Sequence, residues 1–285
     1  MQEFFRKPLH TGIVVYLLAI KRKKGYYCHM HELLEESIQA AVPRMLERPH
    51  LLHMSTGADS LACWLRMREW GMDVTPVYMY YMEGLPYIER YLEYLETFFG
   101  CRIYRLPSPL GWDDLGNGLY QVPGVGAKLH AWIDGLGWSA YTTDVYNRVL
   151  ADVCPDKMHA LGLRVSDGIN RAAALKKYGA VRDKKWFPIG SFFISDVVAL
   201  IKKHNLKLSP DYELFGMSFE SPRYWMMPLI KKNLPKTFAR IKQQYPLVNL
   251  LIGQNEAINV SRPPKRKNQR IAIYADCIID WRGWE

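Results

Sequence analysis

The sequence predicts an α/β protein: a doubly wound, mostly parallel sheet with a helical N-terminal lead-in and a basic C-terminal extension. Residues 51–106 read strand, helix, strand, helix, strand, the alternation that lays parallel strands side by side under helices. Hydrophobic residues make up 49% of the 285 and aromatic residues 13%, enough for a packed core. A run of small and hydroxyl residues, Ser55 to Ser60, sits at the carboxyl end of the first of these strands, where such sheets bind ligands.

The elements follow in order. The apolar run Ile13 to Ile20 is shorter than the ~20 residues a membrane span needs. Lys21-Arg22-Lys23-Lys24 follows where a signal peptide would be cleaved, so the run reads as a buried strand or helix. From His31 to Glu47, Leu33, Leu34, Ile38, Ala41 and Met45 approximate a helical stripe, with Pro43 arguing for a kink or an early stop. Leu51 to Met54 reads as a strand, Asp59 to Trp70 as a helix stopped by Gly71, and Val74 to Met82 as a second strand. Tyr87, Ile88, Tyr91, Leu92, Leu95, Phe98 and Phe99 recur at three and four in an amphipathic helix closed by Gly100, and Arg102 to Leu106 is a third strand. Pro107 to Gly137, with three prolines and seven glycines, predicts a long irregular excursion. A helix over Thr142–Val153, a strand near His159–Val165 and a helix over Ile169–Tyr178 come next. A further helix spans Ser195–Asn205, with Ser195 as its N-cap. Residues 206–250 are mixed, Ser261 to Arg270 reads as an exposed basic linker, and Ile271 to Ile279 as a last strand. The expected organisation is thus a lead-in over 1–50, an α/β domain over 51–205 and an extension over 206–285.

Charge narrows the partners. The chain carries 38 Lys and Arg against 28 Asp and Glu, a formal net charge of +10. Residues 1–150 hold 15 basic and 16 acidic residues, and residues 151–285 hold 23 and 12, so the excess lies in the second half. An anionic partner, a nucleotide or a nucleic acid, should approach there, although a merely solubilising surface would show the same balance. Five scattered cysteines without a C-x-x-C suggest neither a disulfide framework nor a cysteine-rich metal site, and point to a reducing cytoplasm. No membrane partner is expected.

The segment that carries chemistry is Ser55-Thr56-Gly57-Ala58-Asp59-Ser60. Small residues let backbone N–H groups turn toward one point, and the following helix adds its unpaired N–H groups and the positive end of its dipole. Ser55, Thr56 and Ser60 supply hydroxyls, and Asp59 would suit a Mg²⁺ ion that offsets phosphate charge. Such a turn is a phosphate cradle or simply a capped helix start, with Asp59 or Ser60 as the cap. It is not a Walker A loop, because the G-x-x-x-x-G-K-[ST] spacing is absent.

Here the chain resembles a family. H-M-S-T-G-A-D-S-L-A resembles the S-G-G-K-D-S phosphate loop of the N-type ATP pyrophosphatases (the PP-loop, adenine nucleotide alpha-hydrolase-like proteins). The nearer likeness is to the branch with phosphoadenosine phosphosulfate (PAPS) reductases, the ATP sulfurylase small subunit and DNA-phosphorothioation sulfur-transfer proteins. Pro76 to Ile88 is similar to the strand and turn whose backbone reads adenine, and Leu161 to Arg171 (L-G-L-R-V-S-D-G-I-N-R) to the family's G-[IL]-R-x-x-[ED]-S-x-x-R. Phe187 to Asn205 is similar to the segment that follows it. The likeness covers roughly 50–215. It implies that Ser55, Thr56, Gly57, Ala58, Asp59 and Ser60 hold phosphate and that Tyr80, Glu83 and Gly84 meet the nucleotide. It also implies that Asp59 orients Mg²⁺ and that Arg164 and Arg171 clamp the transferred or leaving group. The implied activity is adenylation by ATP with release of pyrophosphate, in sulfur transfer or nucleic-acid modification.

Two departures from the family pattern stand out. Ala58 replaces the lysine of many members, which favours a non-catalytic nucleotide- or nucleic-acid-binding alternative. Cys277 lacks the glutamate-cysteine-glycine neighbours of a sulfonucleotide reductase, which disfavours the PAPS alternative and makes Cys277 a buried small hydrophobe. Cys28-His29-Met30-His31, with Glu35 and Glu36 a turn beyond, matches no standard metal spacing. Arg262 to Arg270, with Tyr245, Trp281 and Trp284, would suit a nucleic-acid backbone with stacked bases. Arg240, Lys242 and the tail would suit an interface with a second copy or a partner protein.

Overall fold

The computed structural model describes residues 29–135, 146, 148, 150, 152, 154–258 and 267–284. The Ile13–Ile20 run, Cys28 and residues 261–266 of the basic linker lie outside them. So does much of the helix expected over 142–153, of which residues 146, 148, 150 and 152 are helical.

Helix α1 (29–46) leads into strand β1 (His50–Met54). Then come α2 (Ala58–Glu69), β2 (Val74–Tyr80), α3 (Pro86–Phe99), β3 (Tyr104–Pro107), α4 (Pro109–Gly116), α5 (Val125–Gly135) and β4 (Met158–Leu161). Beyond β4 lie α6 (Ile169–Tyr178), β5 (Val181–Arg182), β6 (Lys185–Trp186) and α7 (Ile194–Lys203). The chain closes with α8 (Pro210–Leu214), α9 (Met227–Asn233), α10 (Pro235–Gln244), α11 (Asn249–Ile258) and α12 (Lys267–Tyr274).

These strands form one six-stranded sheet in the order β3-β2-β1-β4-β6-β5, parallel throughout except for the β5–β6 pair. The alternation over 51–106 is therefore parallel sheet, as its apolar strands require. β1 is central and its side chains alternate between the two faces. Leu52 and Met54, with Tyr78 of β2, join the main core with α2 and α3. Leu51 and Val77 join a second cluster with Tyr146 and Leu150, so the helical residues over 146–152 cover the opposite face.

The structure departs from the sequence reading at several places, and β5 and β6 stand where no strand was expected. Pro43 neither kinks nor stops α1 early; it is exposed in the last turn, where the carbonyl it leaves unpaired can be hydrated. The excursion over Pro107–Gly137 contains α4 and α5, and Pro109 begins α4 at a position that needs no N–H. β4 stops at Leu161, because the chain then leaves the sheet to cross the start of α2. Ser195 lies inside α7, whose first turn is instead held by Asp196 Oδ2 accepting from the Phe193 amide at 2.7 Å. Residues 271–274 are helical, with a single bridge from Ile278 to Leu208 standing where a strand was expected. There the β-branched run is overridden by packing of Tyr274 against Tyr212 of α8, rings 4.9 Å apart and edge to face. Residues 206–285, expected as an extension, place Tyr212, Phe215, Met226, Phe238 and Tyr274 in the main core.

Candidate functional site

A cavity of about 530 Å³ opens at the carboxyl ends of β1, β2 and β4. That is where strand order reverses: β2 and β3 lie to one side of β1, and β4 and β6 to the other. The turns leaving β1 and β4 diverge at such a point and leave a crevice between them.

One wall is the Ser55–Ser60 turn. Gly57 is the N-cap of α2 in extended conformation. Ser60 Oγ donates to the Ser55 carbonyl at 2.6 Å and the Gly57 carbonyl at 2.8 Å, while Ser55 Oγ accepts from the Gly57 amide at 3.1 Å. The Ala58 amide donates to the Tyr212 hydroxyl at 2.5 Å, so a phenol from α8 sits on the first turn of α2. Gly162, just past β4, lies against the same turn. A Cβ on Gly162 would stand 2.9 Å from the Asp59 carbonyl oxygen and from the Ser60 amide nitrogen and Cα, so only glycine fits.

A charged cluster closes the cradle. Arg164 Nη2 lies 3.0 Å from Asp59 Oδ2 and 2.9 Å from Asp167 Oδ1, and Arg171 Nη1 lies 3.0 Å from Asp167 Oδ2. Asp167 Oδ2 also accepts from the Arg164 amide at 2.9 Å, which fixes the backbone that presents the arginine. Arg164 is 9% exposed and its Nε is buried without a partner among the described residues, whereas Arg171 reaches solvent. Burial pushes the Asp59 carboxyl above its ordinary value and Asp167 adds to that, against the pull of Arg164 and Arg270. Asp59 offers one hard oxygen ligand on the cavity wall. Among the described residues no three His, Cys, Asp or Glu side chains gather to cage a metal. A Mg²⁺ ion at this wall would have one carboxylate, Asp59, and would take its other ligands from phosphates and water.

Of the residues singled out in the sequence, Ser55, Gly57, Ala58, Asp59, Ser60, Arg164 and Arg171 all line the cavity. Thr56 does not; it is buried and its Oγ1 has no partner among the described residues. Tyr80, Glu83 and Gly84 are also not on the wall. The Tyr80 carbonyl accepts from the Ser108 amide at 2.8 Å, Glu83 is exposed, and Gly84 faces Arg240. Tyr78, Met79 and Tyr81 of the same strand and turn take that position instead.

The lesser signals resolve structurally. His31 is buried, stacked on Phe193 and bonded through Nδ1 to the Ser191 carbonyl, while Glu35 is bound by Arg66. Tyr245 is fully buried and so cannot stack on bases; Trp281 donates to Glu213 at 2.7 Å, and Trp281 and Trp284 are half-buried against the core. Cys277 is 2% exposed, and no cysteine among the described residues lines the cavity.

The wall residues not assigned from sequence include His53, Gly162, Tyr212 and Arg270. His53 and Gly162 lay within the motifs that had been read, and Arg270 within the basic tail. Tyr212 carried no local signal, because the 154 residues separating it from Ala58 are bridged only by folding. Comparison with protein-family models and with curated proteins finds no match.

Proposed function

We propose that this chain binds an adenine nucleotide in the cavity between β1 and β4 and cleaves ATP between its α- and β-phosphates. An acceptor oxygen or nitrogen would attack the α-phosphorus, the bond to the β-phosphate oxygen would break, and pyrophosphate would leave. The observation that carries the reading is the convergence of the Ser55–Ser60 turn, the start of α2, Arg164 and Arg171 on one cavity. Its volume lies in the ~300–1,000 Å³ range usual for small-molecule sites.

Such chemistry is largely positioning and charge neutralisation. The turn and α2 would hold pyrophosphate, Asp59 with phosphate oxygens would hold Mg²⁺, and Arg164 and Arg171 would offset the charge on the leaving group. The doubly wound, adenine nucleotide alpha-hydrolase-like fold belongs to the same proposal, supported by the β3-β2-β1-β4 order. The excess of positive charge in residues 151–285 supports a nucleic acid as partner or acceptor. Among the described residues no helix is long and apolar enough to cross a membrane, and the free cysteines suit a reducing cytoplasm.

The deciding experiment is calorimetric titration of the purified protein with ATP·Mg²⁺ and, separately, with PAPS, using Ser60→Ala as control. We expect saturable ATP binding that Ser60→Ala weakens, and loss of pyrophosphate release in Asp59→Asn. Preference for PAPS would move the assignment to sulfonucleotides, a reading that no thiol among the described cavity residues supports. Failure of both to bind would favour a non-catalytic protein on this fold. One observation already leans toward that second reading: Tyr212 and the Arg164–Asp59 pair satisfy groups that a phosphate or Mg²⁺ would need.

A further inference from the structure

We infer that His53 is the proton acceptor of the cavity and that His159 is a positioning residue that sets its tautomer. The inference rests on the nucleotide reading above, because it assigns the proton released as the acceptor attacks the α-phosphate.

His53 ends the sheet face that looks toward Tyr146, and it lines the cavity. Its Nε2 lies 2.8 Å from Nδ1 of His159 on the neighbouring strand. β1 and β4 pair Leu51 with His159 and His53 with Leu161, so the two rings meet diagonally on one face of a rigid parallel ladder. At that separation one nitrogen donates and the other accepts. With His53 Nε2–H donating to His159 Nδ1, the lone pair of His53 falls on Nδ1, which has no hydrogen-bond partner among the described residues.

The other ionisable wall groups are committed. Asp59 is held by Arg164 at 3.0 Å, and Glu220 by Arg223 at 2.6 Å. Tyr78, Tyr81, Tyr212 and Tyr274 have phenols pushed up by burial and remain protonated. The guanidinium groups of Arg164, Arg171 and Arg270 do not give up a proton in proteins. His53 is a neutral base: burial pushes its imidazole down to about 4, and His159 on β4 and Lys185 on β6 push the same way. Burial, Lys184 and Lys185 lower His159 as well, so both rings are uncharged at neutral pH. The reaction step balances. The acceptor's X–H bond breaks as X–P forms, and the proton goes to His53 Nδ1. His159 Nδ1 keeps accepting from His53 Nε2–H throughout, and the imidazolium then gives its Nδ1 proton to water, which restores the starting tautomer.

Two measurements on the full chain test this. In ¹⁵N-histidine NMR at pH 7, with the His53 signals identified by their loss in His53→Asn, we expect a bare Nδ1 and a protonated Nε2. The His159→Phe variant should lose that single tautomer. A protonated Nδ1 in the unaltered protein overturns the inference whether or not nucleotide binds. With ATP·Mg²⁺ as probe and water as acceptor, His53→Asn should bind within about twofold of the unaltered protein. It should release AMP at least ~100-fold more slowly, the low end of general-base contributions. Added imidazole should partly restore the rate in His53→Gly. Equal AMP release by His53→Asn and the unaltered protein overturns the inference. Absence of ATP binding by the unaltered protein removes the nucleotide reading and with it the assigned proton; the NMR result then reports only the pair itself.

Discussion

Two glycines around the Ser55–Ser60 turn show how much depends on what a missing Cβ would touch. At Gly162 the nearest atoms are backbone of Asp59 and Ser60 at 2.9 Å, and neither strand β4 nor helix α2 can retreat without breaking its ladder. At Gly57 the nearest atom is the Ser55 hydroxyl oxygen at 2.8 Å, the end of a side chain that can rotate. Gly162→Ala should therefore cost about 1–3 kcal/mol and spoil the cradle, while Gly57→Ala should cost below about 1 kcal/mol. Urea unfolding midpoints of the two variants check the order, and an equal cost would show that the turn adapts. The same reasoning gives Arg164 its place. It is buried, reaches two carboxylates and keeps one N–H unpaired among the described residues, whereas Arg171 is half-exposed and makes one ion pair, to Asp167.

At the level of elements, α1 is fastened by one buried cation. Arg66 of α2 lies between the rings of Trp70 and Phe192, at 4.6 and 4.5 Å, and donates to the Pro188 carbonyl at 2.7 Å and to Glu35 of α1. Burial raises the Glu35 carboxyl, but hydrogen bonds from Arg66, Gln39 and Ser191 outweigh it and leave the value lowered. A lowered carboxylate stabilises the fold above its unfolded-state pKa, and that contribution is lost as pH falls through the folded one. Arg66→Met should cost about 2–3 kcal/mol, below the ~3–5 kcal/mol of a fully buried pair because Glu35 is partly solvated. Glu35→Gln should cost less and lose that component of acid sensitivity; urea titrations at pH 7 and pH 4 read both. α8 makes the corresponding link at the cavity, since its Tyr212 bonds Ala58 and its Asp211 accepts from the Phe219 amide at 3.0 Å.

Across the whole molecule, Asp211 ties the pH response to the core. It is fully buried, and burial pushes its carboxyl up to about 6 against the pull of its hydrogen bonds. For a raised carboxylate the sign is opposite to that of Glu35. Between the unfolded value near 3.8 and about 6 the folded state holds the extra proton, so stability from this group falls as pH rises through that window. Asp211→Asn should flatten the dependence between pH 4 and 6 in thermal unfolding followed by circular dichroism, and an unchanged slope would refute the assignment. The described residues of 206–284 are tied to the start of α2 by the Ala58–Tyr212 bond as well as by packing in the core.

Periodicity over 51–106 was enough to read β1, α2, β2, α3 and β3 and their parallel order, because each has a strong repeat and a plain terminator such as Gly100. The ordered motifs placed seven cradle and arginine residues on one cavity. The same likeness put Tyr80, Glu83 and Gly84 at the nucleotide, whereas the cavity wall carries Tyr78, Met79 and Tyr81 of that strand and turn, with the Tyr80 carbonyl engaged by the Ser108 amide. Local sequence carries propensity, spacing and charge, so it determined strands β1 to β4, the turn and the basic half, but not the two-residue strands β5 and β6. Contacts between distant segments depend on packing that no local window encodes. The His53–His159 pair, Tyr212 on Ala58, Gly162 against α2 and the helical state of residues 271–274 were decided only by tertiary structure.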